Sequence, residues 1–306
     1  MSRARPHPPR SEETVGLVYA LAAYGSWGVV PAFWKQLGHV PALEVLAHRV
    51  AWGFLVFAIL LRARGGVGAL ATALRTRRLV ALLALSSALL AINWLTFIYA
   101  VATARILETS LGYFLNPTFS VLLGLLVMGE RLRRTQWLAV VLAAAGVLQL
   151  VLEAREPPWI ALVLATTFGL YGLVRKTAPV AALPGSTLEA GLALPAALAY
   201  LAVLWWSGAA TFGRADPATA LWLAATGIVT AAPLLWFAGA ARRLPLSTIG
   251  VLQYLAPSGQ LLLAVLLYGE PFTALHARSF ACIWAGVAVF AADGWRDRRL
   301  RRVPPL

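Results

Sequence analysis

The stretch 107–130, LETSLGYFLNPTFSVLLGLLVMGE, is apolar and long enough to cross a bilayer, yet it carries Asn116-Pro117 near its middle. Proline removes a backbone donor and crowds the carbonyl four residues earlier, here that of Tyr113. At about 1.5 Å per residue, a helix over 107–127 puts Pro117 near the centre of a hydrocarbon layer about 30 Å thick. Lipid offers no partner to a carbonyl freed at that depth, so this part of the helix is expected to face protein or a watery cavity. The stretch is also written twice. Asn116-Pro117 returns as Ala256-Pro257, Gly129-Glu130 as Gly269-Glu270 and Phe114 as Tyr254, all displaced by 140 residues. In the second copy Pro257 crowds the carbonyl of Gln253. A second register, displaced by 144, aligns Tyr24, Trp27 and Gly28 with Phe168, Tyr171 and Gly172, so the duplication covers the chain.

Composition sets the solvent. Of 306 residues, 60% are hydrophobic and only 12% charged, too little polar surface for a soluble protein of this size. The net charge of +14 sits in short clusters between apolar runs, ending in RDRRLRR at 296–302, which reads as membrane topology and not as a nucleic-acid surface. A single cysteine, Cys282, excludes an internal disulfide and a cysteine metal site. His7, His39, His48 and His276 form no HExxH motif or close pair, so neither a metal nor another cofactor is expected. Neither lysine follows a glycine, which excludes the phosphate loop of nucleotide-driven pumps.

Ten apolar segments emerge, at 15–34, 42–62, 79–101, 107–127, 135–152, 158–174, 187–206, 219–240, 247–267 and 276–293. Residues 1–14, MSRARPHPPRSEET, read as a disordered cytoplasmic tail and 294–306 as a basic one. The apolar run after the first tail continues to Trp34, which suits a retained helix better than a cleaved leader. With the N-terminus inside, the clusters around Arg62–Arg78, Arg131–Arg134, Arg175-Lys176, Arg242-Arg243 and Arg296–Arg302 all fall on the cytoplasmic side. Only Lys35, Arg105, Arg155, Arg214 and Arg278 fall outside, and Arg49 lies within a span. Both termini are therefore expected to be cytoplasmic. Five spans per copy is an odd number, so the second copy must be inverted relative to the first. The expected fold is all-α and integral to the membrane, ten transmembrane helices in two inverted repeats over 15–153 and 158–293. Inverted repeats meeting at interrupted helices permit alternating access to a midplane site.

The second segment begins PALEVLAHRVAWG, which sets Glu44, His48 and Trp52 four apart on one helical face with Arg49 beside them. A charge so deep is costly, about 2.5–3.5 kcal/mol near a helix centre on insertion scales, so Arg49 must be paired or face water. Arg49, His48 and Glu44 are candidates for a substrate-carboxylate or proton site; the alternative is a Glu44–Arg49 clamp that fixes the helix. Lys35 and Lys176 follow partner segments of the duplication and precede Glu44 and Glu189, so a lysine–glutamate gate at each mouth is one reading and interfacial snorkelling the other. Asn93, Trp94, Tyr99, Tyr113, Asn116, Gln253 and Tyr254 complete a candidate cavity, aromatic with a few hydrogen-bonding groups, suited to a small amphipathic molecule. Interhelical packing is the alternative for these residues.

The chain resembles the RarD-type permeases, within the EamA-domain branch of the drug/metabolite transporter superfamily. The likeness rests on WGVVPAFWKQLGHVPALEVLAHRVAWG at 27–53, NWLTFIYA at 93–100, LETSLGYFLNP followed by GERL at 107–132, FGLYGLVRK at 168–176 and RRLPLSTIGVLQYLAPS at 242–258. It implies a ten-helix, multi-pass permease of the bacterial inner membrane built from two EamA units. The second repeat departs from the first by Ala256 in place of Asn116, which excludes a symmetric pair of asparagine ligands. The expected function is secondary-active transport of a small organic metabolite or drug, with protons as a candidate coupling ion and a homodimer as a candidate assembly. An integral-membrane enzyme acting on lipid-linked substrates is the alternative from another class, and a membrane scaffold or sensor a third. The sparse aspartates, Asp216, Asp293 and Asp297, form no paired acidic motif, which argues against an enzyme.

Overall fold

The computed structural model describes residues 10–128, 133–153, 158–244 and 252–302. Among these there are eleven helices and no strand. In chain order they are α1 (Arg10–Lys35), α2 (Ala42–Ala63), α3 (Val67–Leu74), α4 (Arg77–Ala102), α5 (Ile106–Met128), α6 (Arg134–Glu153), α7 (Trp159–Thr177), α8 (Ala182–Ser207), α9 (Pro217–Arg243), α10 (Leu255–Leu267) and α11 (Ala274–Arg302). Among the described residues, α1, α2, α4, α8 and α9 are each long and apolar enough to cross a membrane. Every apolar segment read from the sequence overlaps a helix, and the short, largely exposed α3 lies between two of them.

Local chemistry explains where several helices start. Asp216 precedes α9, accepting the Thr219 amide at 2.9 Å and its hydroxyl at 2.8 Å, and Pro217 takes the first helical position, where no donor is needed. Those two bonds hold the Asp216 carboxylate below the usual carboxylate range. Helix α8 begins at Ala182, five residues before the segment read from the sequence, because Pro184 sits in the first turn, where its missing N–H costs nothing. Helix α1 already begins at Arg10, inside the stretch read as a tail, and α11 continues as helix through the basic run to Arg302.

The two prolines at the heart of the duplication act differently. Helix α5 runs unbroken through Asn116 and Pro117. In the second copy the chain turns at Gln253 and Tyr254, α10 starts at Leu255 with Pro257 in its first turn, and its last five residues widen into a π turn. The Gln253 carbonyl, expected to be free, accepts the Ala256 amide at 3.4 Å, while the Pro257 carbonyl takes the Ser110 hydroxyl of α5 at 2.8 Å. Glu130 and residues 245–251, the start of the ninth segment, lie outside the described residues.

Packing follows a simple exchange rule. The principal neighbours are α1 with α9 and α10, α2 with α8 and α9, α4 with α7 and α8, α5 with α7 and α10, and α6 with α11. Exchanging α1 with α7, α2 with α8, α4 with α9, α5 with α10 and α6 with α11 leaves these pairings unchanged. Small residues set the closest crossings. A Cβ on Gly146 would stand 2.7 Å from the Ser279 carbonyl oxygen, and one on Gly286 2.7 Å from that of Ala139. Both glycines and both carbonyls are related by the same displacement of 140, so each helix of the α6–α11 pair makes the same approach to the other. Between α1 and α10, a Cβ on Gly259 would meet the Gly28 Cα at 2.9 Å.

Because the obstacles at Gly146 and Gly286 are backbone oxygens, a methyl group there forces the α6 and α11 backbones apart. Gly286→Ala and Gly146→Ala are each expected to destabilise the protein by about 1–3 kcal/mol. Gly25→Ala, with nothing within 4 Å of the added carbon, is expected to cost nothing. Melting of the detergent-solubilised variants, followed by loss of the monodisperse peak, checks the difference.

Candidate functional site

Eight helices, all but α3, α6 and α11, enclose a cavity of about 290 Å³. Its aromatic lining follows the duplication. Tyr24 and Trp27 of α1 are matched by Phe168 and Tyr171 of α7 in the register of 144, and Phe97 of α4 by Phe237 of α9 in the register of 140. Tyr113 and Gln253, then Asn116 and Ala256, are further pairs on the wall at 140. The charged and polar groups break this symmetry: Arg49 falls on Ala193 and Asn93 on Pro233.

Arg49 projects from α2 into the cavity, its guanidinium carbon 3.9 Å from the centre of the Trp94 ring and 4.7 Å from that of Trp34. The rings stabilise the cation through their π faces but offer its N–H fork no acceptor. Arg49 Nε is buried without a hydrogen-bond partner, and among the described residues no carboxylate comes within ion-pair distance of the side chain. The Glu44–Arg49 clamp considered from the sequence is therefore not formed. Glu44 accepts instead from the Thr211 amide at 2.7 Å, the Thr211 hydroxyl at 2.8 Å and the Phe212 amide at 3.2 Å.

The expected face of α2 does form, but it points elsewhere. His48 packs on Phe212 with ring centres 4.8 Å apart, and Trp52 lies 6.2 Å from the same ring. Glu44, His48 and Trp52 thus meet the connection between α8 and α9, and neither His48 nor Trp52 lines the cavity. Consecutive helical residues are about 100° apart, so Arg49 faces the cavity while His48 does not.

Asn93 is on the wall but already committed. Its amide donates to the Leu164 carbonyl at 3.0 Å and the Thr167 hydroxyl at 2.9 Å, and its oxygen accepts from Tyr113 at 3.3 Å, tying α4 to α7 and α5. Asn116 Oδ1 and Thr230 Oγ1, by contrast, are buried on the wall with no partner. Trp94, Tyr113 and Gln253 also line the cavity. Tyr99 does not; it is exposed and lies 5.8 Å from the Trp159 ring. Tyr254 stacks on Phe114 at 6.1 Å, in the packed core.

Of the two lysine–glutamate gates read from the sequence, the Lys35–Glu44 pair is not formed, and each residue has other partners. Lys35 Nζ donates to the Val101 carbonyl at 3.3 Å and lies 5.4 Å from the Tyr268 ring centre. Glu189 lines the cavity and accepts the Ser86 hydroxyl, with Arg175 Nη1 3.5 Å away; the Lys176 side chain lies outside the described residues. Gly185 makes room for that arginine, since a Cβ there would collide with its terminal nitrogen. Glu270 caps a helix of the other half: its two oxygens accept the amides of Ile106 at 2.8 Å and Leu107 at 2.7 Å at the start of α5. Tyr24, Trp27, Trp34, Phe168, Tyr171 and Phe237 are wall residues missing from the sequence-based set; the register of 144 had already paired four of them.

Comparison with known proteins agrees with this architecture. A crystal structure of 23% identity superposes with a TM-score of 0.57, covering 90% of this chain and 97% of the other, which establishes a shared fold. An uncharacterized transporter of Pseudomonas aeruginosa is 46% identical over 94% of this chain and 96% of its own length. Protein RarD of Escherichia coli K12 is 44% identical over 93% and 96%, and the chloramphenicol-sensitive protein RarD of Pseudomonas aeruginosa 34% identical over 94% and 96%. The profile of the EamA-like transporter family matches residues 14–152 and again 158–292. The chain is a RarD-type membrane protein and belongs to the EamA-like transporter family.

Proposed function

We propose that this chain is a secondary-active permease that moves a small organic metabolite or drug by alternating access. It would lie in the bacterial inner membrane as two inverted five-helix repeats, 15–153 and 158–293, with both termini cytoplasmic. The observation that carries the reading is the cavity whose aromatic wall is built from residue pairs displaced by 140 and 144. A wall of matched halves has two nearly equivalent ways to close, one at each surface, and exchange between them exposes one site to each side in turn. The exchange-invariant helix neighbours and the twofold family match support the same reading.

In this reading the two halves are closed together at the outer surface. At the outer helix ends the halves are joined by Glu270 on the start of α5, Glu44 on Thr211 and Phe212, and His39 with Thr219 at 3.0 Å. Opening outward then requires the Glu270 cap to release α5. Glu189, buried on the wall between Ser86 and Arg175, is the residue placed to carry a coupling proton.

Purified protein in proteoliposomes loaded with a metabolite mixture is expected to show counterflow of a small organic solute, read by mass spectrometry and altered by an imposed pH gradient. Absence of exchange for every component at every gradient removes the carrier reading. Glu270→Gln keeps the size of the cap but removes its charge from the helix N-terminus, weakening it by about 0.3–1 kcal/mol. In a Cys282→Ser background, a cysteine at Thr109 is expected to react faster with a membrane-impermeant thiol reagent added outside once Glu270 is changed. An unchanged rate rejects Glu270 as the outer latch.

A further inference from the structure

We propose that the cavity takes a small organic monoanion with a flat apolar body, whose carboxylate is held by the N–H fork of Arg49. As a statement about cargo this rests on the carrier reading; as a statement about binding it stands alone. Arg49 is the one cation among the described wall residues, and no carboxylate among the described residues supplies its counter-charge. A buried, unpaired charge is among the most expensive groups a fold can hold, and one aimed into a cavity marks where an anion belongs. Trp34 and Trp94 flank the guanidinium, and its Nε has no hydrogen-bond partner, an arrangement suited to a planar carboxylate bound through two parallel N–H bonds.

The remaining wall specifies the rest of the molecule. Two further unpartnered polar atoms, Asn116 Oδ1 and Thr230 Oγ1, come one from each half and suit a donor on the ligand. Around them the paired aromatic rings favour a flat, apolar body. The other charged group on the wall, Glu189, is engaged by Ser86 and Arg175, so no free carboxylate is left to receive an ammonium. A net anion is therefore preferred over an amine or a zwitterion. The volume of about 290 Å³ is near the lower end of small-molecule sites, which run from about 300 to 1,000 Å³.

Four probes of one shape separate these charges: indole-3-acetate, indole-3-acetamide, tryptamine and tryptophan. Binding to the purified full chain is read by thermal stabilisation and by the change in tryptophan fluorescence. Indole-3-acetate is expected to bind about tenfold more tightly than its amide and more tightly than tryptamine or tryptophan, the scale of a charge-assisted contact. Arg49→Gln is expected to abolish the preference, and Arg49→Lys, which keeps the charge but not the fork, to reduce it. Equal affinity of the parent protein for the acetate and the acetamide overturns the proposal, and that comparison needs no variant to fold. Parent-like selectivity in a monodisperse Arg49→Gln protein overturns it as well. Carboxylate-selective binding without any counterflow keeps this site and removes the carrier reading. Counterflow of neutral solutes that survives Arg49→Gln keeps the carrier and removes this site.

Discussion

A peptide group inside hydrocarbon has no water to bond, and that constraint shapes the molecule. It makes every long element a helix and requires each interruption to be answered by a neighbour. The Pro257 carbonyl finds the Ser110 hydroxyl, and the first amides of α5 find the Glu270 carboxylate. Both answers come from the opposite half, so the two halves satisfy each other's broken ends. The bonds that make this backbone tolerable in lipid therefore also hold the halves in a defined relation.

Much of this was legible in the sequence because membrane helices announce themselves by length and composition, and a duplication announces itself by register. The ten segments, the matched prolines and the pairing of Tyr24 and Trp27 with Phe168 and Tyr171 need only short-range pattern and internal comparison. What a sequence does not carry is rotation about a helix axis. Glu44, His48 and Trp52 were correctly placed on one face, yet nothing local said that the face meets Phe212 while Arg49 meets the cavity. Tyr99 and Tyr254 were misplaced for the same reason, since an aromatic residue at membrane depth suits a wall, a core or a lipid boundary equally well. The partners of Glu44 and Glu270 lie more than 160 positions away and leave no local trace. Proline also proved context-dependent: α5 absorbs Pro117, whereas α10 starts two residues before Pro257.

The wall divides its labour in a way that follows from the duplication. Rings that match in register give the two sides of the wall the same apolar character. Arg49 and Asn116, whose counterparts in the other half are Ala193 and Ala256, make the wall chemically asymmetric. A wholly symmetric wall would offer a ligand two equivalent opposed poses, and the unmatched groups remove that equivalence.

That separation has an evolutionary corollary. The matched rings and the unmatched polar groups occupy separate positions on the wall, so the latter can be exchanged without disturbing the former. Replacing one or two side chains would change the chemistry of the cavity while leaving the framework intact, which allows one fold to host many specificities.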